Sequence, residues 1–156
     1  MIAVYIHNDI AQLKTKLLAG KIDHYVVHLR IEGLKMRIFK YRAFHQWAKS
    51  EGLSDSALKD AINEIKQGLF DANLGGGLYK KRIARKGRGK SGGYRTIIAF
   101  KKNNRSIFMY GYAKNERDNI SDKEELIYKK LAGYYLEITE SKLNLLIKNG
   151  ELFEVT

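Results

Sequence analysis

The spacing of apolar residues changes period several times along the chain, and each change marks an element. Phe44, Trp47 and Ala48 stand at i, i+3 and i+4, one face of a helix that should end near Gly52. Ser54 then suits an N-cap, with Leu53 and Leu58 around it as a hydrophobic staple. The helix it opens presents Ala57, Leu58, Ala61, Ile62, Ile65 and Leu69 on one side. Ile83-Ala84, Tyr94 to Phe100 and Ile107 to Tyr112 are rich in β-branched and aromatic residues and predict strands. Gly87, Gly89, Gly92 and Gly93 predict a flexible loop between the first two, and Lys101 to Arg105 a short hairpin connection between the last two.

Helical spacing returns after Ser121-Asp122-Lys123-Glu124, a capping-box pattern followed by Leu126, Ile127, Leu131, Tyr134 and Tyr135. Thr139 suits the cap of a further helix carrying Leu143, Leu146 and Ile147 and stopped at Asn149-Gly150. Arg37 to Lys40 and Glu151 to Val155 predict short strands. Asp71 to Gly77, with three consecutive glycines, predicts a turn leading into the sheet. The pattern is weaker before Met36: Ile2 to Ile6 as a strand, Ile10 to Leu18 as a short helix, His24 to Ile31 as a second strand. Glu32-Gly33 can be encoded by a purine-rich ribosome-binding sequence just before Met36. Residues 1–35 are therefore expected to be either a translated leader or a genuine N-terminal hairpin or arm, and residues 36–156 the functional domain.

Charge changes the picture most. Leu78 to Arg117 holds thirteen bases against one acid, Glu116, and its net charge of +12 equals that of the whole chain. The rest of the chain cancels. Charge gathered this way is the footprint of a polyanion-binding surface, expected on one antiparallel sheet and its loop. The chain has 156 residues and no cysteine, which excludes disulfides, thiolate catalysis and cysteine-ligated metal. The N-terminus lacks a basic n-region, and no apolar run reaches membrane-spanning length. A cytoplasmic protein without a membrane role is expected. His24 and His28 share i,i+4 spacing, but no carboxylate motif accompanies them, so no metal site is expected.

Ala84 to Ser91 imitates a phosphate-binding P-loop. A strand signal follows it instead of a helix, so nucleotide hydrolysis is not expected. The same segment can still grip a phosphate backbone through Arg88, Lys90 and its amides.

Three stretches carry a family resemblance: Leu74-Gly75-Gly76-Gly77-Leu78-Tyr79-Lys80-Lys81-Arg82-Ile83-Ala84-Arg85, Gly89-Lys90-Ser91-Gly92-Gly93-Tyr94-Arg95-Thr96, and Phe108 to Ile120 through Tyr110-Gly111-Tyr112-Ala113-Lys114-Asn115-Glu116-Arg117. Together they resemble the HigB-type branch of the RelE toxin family over residues 36–155. The resemblance implies an α+β fold, an antiparallel sheet flanked by helices. It implies a small, metal-independent endoribonuclease that needs no cofactor and cuts mRNA, commonly on the ribosome. It also implies a cognate antitoxin, often a helix-turn-helix DNA-binding protein. Asn115 stands where RelE itself carries an arginine.

Cleavage of RNA by its own 2′-hydroxyl needs a proton acceptor, a proton donor and positive charge on the phosphorane. Lys80 and Arg82 share one strand face by the period-two rule. Arg95 is expected on the scissile phosphate. Lys114 and Arg117 close the basic stretch, and Glu116 is either a general base or an arginine's partner. Lys81, Arg85, Arg88, Lys90 and Asn115 complete the expected RNA surface. Tyr94 and Tyr112 either stack on bases and move protons or belong to the core. Two other readings stay open: a non-catalytic binder of RNA or ribosome, and a gyrase-poisoning toxin of the same fold.

Overall fold

The structure, a computed structural model, describes Gly20 and residues 36–156. The strands and helix expected before Met36, and His24 and His28, lie outside the described residues. Residues Met36–Thr156 form one compact unit. Its elements are β1 (Arg37–Tyr41), α1 (Arg42–Glu51), α2 (Asp55–Lys66), β2 (Ala72–Gly75), β3 (Leu78–Arg85), β4 (Gly89–Lys101), β5 (Arg105–Ala113), α3 (Asp122–Glu137), α4 (Glu140–Lys148) and β6 (Leu152–Glu154).

The six strands form one sheet in the order β2-β3-β4-β5-β1-β6. It is an α+β fold with a mostly antiparallel sheet, but β1 runs parallel to β5. After β1 the chain crosses to the far edge through α1 and α2, then winds back by hairpins, so β5 arrives beside β1 in the same direction. Each face of the sheet buries its own core. Phe44, Ala48, Leu58, Ile62 and Ile65 of α1 and α2 pack on Ile83, Tyr94, Ile98, Phe100 and Phe108. Ala132, Tyr135, Leu136, Leu143 and Leu146 of α3 and α4 pack on Phe39, Leu78, Ile97, Ala99, Ile107 and Tyr112. Complete burial of side chains such as Phe108 and Ile97 contributes about 1.5–3 kcal/mol each.

The helix starts follow their caps. Ser54 accepts from Ala57 N, and Ser121 with Glu124 forms a complete capping box. Four expectations are corrected. The segment read as a turn from Asp71 contains the edge strand β2, paired with β3. The expected glycine loop is a tight hairpin, because Gly89, Gly92 and Gly93 lie within β4. A Cβ on Gly93 would sit 2.2 Å from the Ile83 carbonyl oxygen, so this glycine serves close strand approach. Leu69 lies beyond the end of α2 and is exposed, since the helix stops at Lys66. Leu126, Ile127 and Tyr134 point outward, because Ala132, Tyr135 and Leu136 form the buried face of α3.

Candidate active site

The register of three strands builds one row. Arg82 on β3 pairs with Arg95 on β4, and Arg95 pairs with Tyr112 on β5. Paired residues project to the same face. The next row holds Lys80, Ile97 and Tyr110. Towards the other end of these strands the face becomes apolar, with Leu78, Ala99 and Ile107 in the core beneath α3 and α4. Row and core therefore share one face, and the cations occupy its polar end.

Two arginines directly opposite one another repel unless something compensates them. Arg82 is neutralised: Asp71 pairs with its Nε and accepts its backbone N–H at 2.6 Å. Arg95 is treated differently. Its guanidinium donates only to carbonyl oxygens, those of Lys90 at 3.3 Å, Ser91 at 3.3 Å and Gly93 at 3.5 Å. It is 9% exposed, and no carboxylate pairs with it among the described residues. Lys80 is also held by a neutral group, donating to Asn119 Oδ1 at 2.8 Å.

The loop after β5 closes over this row. The Tyr112 hydroxyl donates to the same Asn119 oxygen at 3.5 Å, and Arg117 Nε donates to the Asn119 carbonyl at 2.7 Å. Arg117 also pairs with Glu124 of the capping box and contacts the Tyr110 hydroxyl at 3.4 Å. Tyr110 of β5 stacks on Tyr128 of α3 at 5.7 Å, which braces the strand against the helix. Burial pushes the Tyr112 phenol above its ordinary range, and the charges of Arg95 and Arg117 pull against that shift. Burial pushes Tyr128 up to about 12.

The other expected residues are not gathered here. Lys81 faces α2, 5% exposed, paired with Glu64 and donating to the Leu69 carbonyl at 2.7 Å. Period two places it opposite to Lys80, so the surface expected of it is turned inward. Lys90 shares Glu64 at 2.9 Å. Arg85 approaches Glu51 at 3.8 Å and lies over the Tyr94 ring. Tyr94 is buried on the α1 face, donates to Glu51 at 2.8 Å, and has its phenol raised first by burial and then by that bond. Arg88 is exposed in the β3–β4 turn. Lys114, Asn115 and Glu116 are exposed in the turn after β5, and their side chains have no hydrogen bond or ion pair among the described residues. Among the described residues Glu116 pairs with no arginine; Arg117 takes Glu124 instead. The charge of Glu116 acts on Tyr94, while that of the exposed Asp118 acts on Tyr112.

The single sequence cluster of bases is therefore divided. Lys80, Arg82, Arg95 and Arg117 meet at the polar end of one face. Lys81, Arg85 and Lys90 serve the other. Arg105 is buried at the opposite end of β5, donating to the Ile138 carbonyl at 2.9 Å and to Glu140 at 2.6 Å. Sequence reasoning gave no role to Asn119, Asp71 or Asp118. Asn119 lies inside the family-like stretch, but only the folded loop shows that it touches Lys80 and Tyr112. Among the described residues no group of three or more His, Asp and Glu side chains is placed to hold a metal. No helix among them is long and apolar enough to cross a membrane.

Residues 36–155 match the family model of the RelE toxin of the RelE / RelB toxin-antitoxin system. No curated protein matches the chain.

Proposed function

The chain belongs to the RelE toxin family of toxin–antitoxin systems, and from that premise we propose that it cleaves mRNA held on the ribosome. The observation that carries this reading is the contrast between Arg82 and Arg95. One arginine is neutralised by Asp71, whereas its cross-strand neighbour is held by carbonyl dipoles and, among the described residues, by no carboxylate. A cation that keeps its full charge at the floor of a polar row suits a phosphate dianion in the making. Lys80, fixed by an amide, adds a second such charge.

In the proposed reaction the ribose 2′-oxygen attacks the adjacent phosphorus while the bond to the leaving 5′-oxygen breaks. The products are a 2′,3′-cyclic phosphate and a 5′-hydroxyl. Arg95 and Lys80 stabilise the phosphorane. The proton of the 2′-hydroxyl passes to an exposed carboxylate of the loop after β5, Asp118 or Glu116. Tyr112, a phenol that carries its proton at neutral pH as tyrosines do, supplies the proton that the 5′-oxygen takes up. Arg82 and Arg117, already paired, position the strand and the loop. The exposed Lys86, Arg88, Lys114 and Asn115 meet more distant phosphates. No metal or cofactor is assigned a role. The antitoxin partner that the family implies is proposed to be a helix-turn-helix protein, and the site of action the cytoplasm.

The test is induction of the protein followed by mapping of mRNA 5′ ends. New 5′-hydroxyl ends within coding sequence, absent with Arg95→Ala, are expected. Intact mRNA with arrested translation would instead favour a non-catalytic binder, and a DNA-damage response a gyrase poison.

A further inference from the structure

The cations around the row fall into two groups by partner. Arg82 is held by Asp71, Arg117 by Glu124, Lys81 and Lys90 by Glu64, and Arg85 approaches Glu51. Arg95, on carbonyl oxygens, and Lys80 form the second group; the Lys80 ammonium donates to a side-chain amide, Asn119 Oδ1, at 2.8 Å. That one oxygen also receives the Tyr112 hydroxyl, and the Asn119 backbone carbonyl receives Arg117. A single residue thus gathers a group from β3, a group from β5 and the loop between β5 and α3.

The geometry points to Asn119 as a positioning residue that fixes Lys80 beside Tyr112 without neutralising it. A carboxylate at the same place would orient the ammonium equally well, but would cancel the charge that a phosphorane needs. An apolar side chain would leave the charge intact and let a flexible lysine stem swing. The neutral amide oxygen meets both requirements. Asn119 itself touches no reacting atom in this scheme; it acts through Lys80 and Tyr112. The assignment rests on the proposed RNA cleavage and adds a residue to that site.

The experiment uses the full chain in single-turnover cleavage of a defined mRNA on programmed ribosomes. The variants are Asn119→Ala, Asn119→Asp, Lys80→Ala and the Asn119→Ala/Lys80→Ala pair. Asn119→Ala is expected to slow the bound-state rate roughly 10²-fold, the scale of a misplaced group, with half-saturation little changed. The double variant is expected to be no slower than Lys80→Ala alone, because residues acting as one unit are not additive.

Asn119→Asp separates positioning from simple support. It retains an oxygen for Lys80, so its melting temperature should equal or exceed that of the wild type, yet its rate should fall as far as that of Asn119→Ala. Full activity in Asn119→Asp, or additive losses in the double variant, would overturn the assignment and leave the cleavage reading intact. If Asn119→Ala proves unfolded, the Asn119→Asp rate at unchanged melting temperature decides alone. A wild-type chain that leaves mRNA whole would overturn the cleavage reading and this inference with it.

Discussion

Arg82 and Arg95 stand opposite each other on β3 and β4, yet Asp71 neutralises only Arg82. The two side chains should therefore differ sharply in mutagenesis. Arg95→Ala is expected to cost roughly 10²–10³-fold in cleavage, the range for loss of one preorganised charge donor. Arg82→Ala should cost much less. Arg95→Lys should not restore the rate, because an ammonium cannot span the Lys90 and Ser91 carbonyls as a guanidinium does. Cleavage rates, with circular dichroism to confirm folding, check all three.

Asp118 and Glu116, which have no side-chain partner among the described residues, can be ranked. The charge of Asp118 is felt at Tyr112 in the row, whereas that of Glu116 is felt at Tyr94 on the other face. Asp118→Asn should slow cleavage by roughly 10²-fold or more, the usual contribution of a general base, and Glu116→Gln by clearly less. The ordering of the two rates is the measurement. The reverse order would return the proton to Glu116.

Gly111 lies under Trp47. A Cβ there would meet the indole at 2.1 Å, and Trp47 also packs edge-on against Tyr94 at 5.2 Å. Gly111→Ala is expected to lose about 1–3 kcal/mol or more, since a packed ring must move. Urea unfolding measures it. Gly133→Ala, in the interior of α3 with nothing within 4 Å, is the control and should gain up to about 1 kcal/mol from helix propensity.

Lys81 should matter for stability and leave cleavage alone. Its ammonium is buried against α2, with Glu64 and the Leu69 carbonyl as partners. Glu64→Gln removes the counter-charge and should cost about 1–3 kcal/mol, below the fully buried case because Glu64 is partly open to solvent. Lys81→Met, which removes the buried charge itself, should be milder. Both variants should cut RNA at the wild-type rate.

The Glu124 carboxyl is held down to about 2, first by Arg117 and then by the Ser121 backbone and hydroxyl. Its pKa is depressed in the folded state. The associated stability is therefore present above the ordinary carboxylate value of 4.5 and is lost as pH falls from there through about 2. Glu124→Gln should lower the melting temperature at pH 7 and flatten its fall between pH 4.5 and 2. A wild-type and a variant curve running parallel through that window would remove the pair from the stability argument.

The domain itself offers a further check. The family match begins at Met36, as does the compact unit. Residues 36–156 expressed alone are expected to fold and cleave RNA. An insoluble product would show that residues 1–35 belong to the working protein.

Most of the elements could be read from local pattern. Ser54, Ser121 and Thr139 cap helices because a hydroxyl next to an apolar period has only nearby backbone amides to satisfy. The strands around Ile98 and Phe108 followed from β-branched and aromatic runs. The edge strand β2 did not, because Ala72-Asn73-Leu74-Gly75 has turn composition and is made a strand by its partner, β3. Gly93 read as loop for a similar reason: its small size answers a neighbour's carbonyl, which lies ten residues away.

Composition and order alone established a basic stretch, a single domain's worth of elements, and the residue types from which an RNA-cleaving site can be built. Tertiary structure decided which bases belong together. Adjacent strand residues point to opposite faces, so Lys80 and Lys81, neighbours in the chain, end in different surroundings. Pairing across strands then sets Arg95 between Arg82 and Tyr112, and the fold of the following loop delivers Asn119 to Lys80. Whether a lysine or arginine keeps its charge free depends on what stands within about 4 Å of it, and that distance is measured through space rather than along the chain.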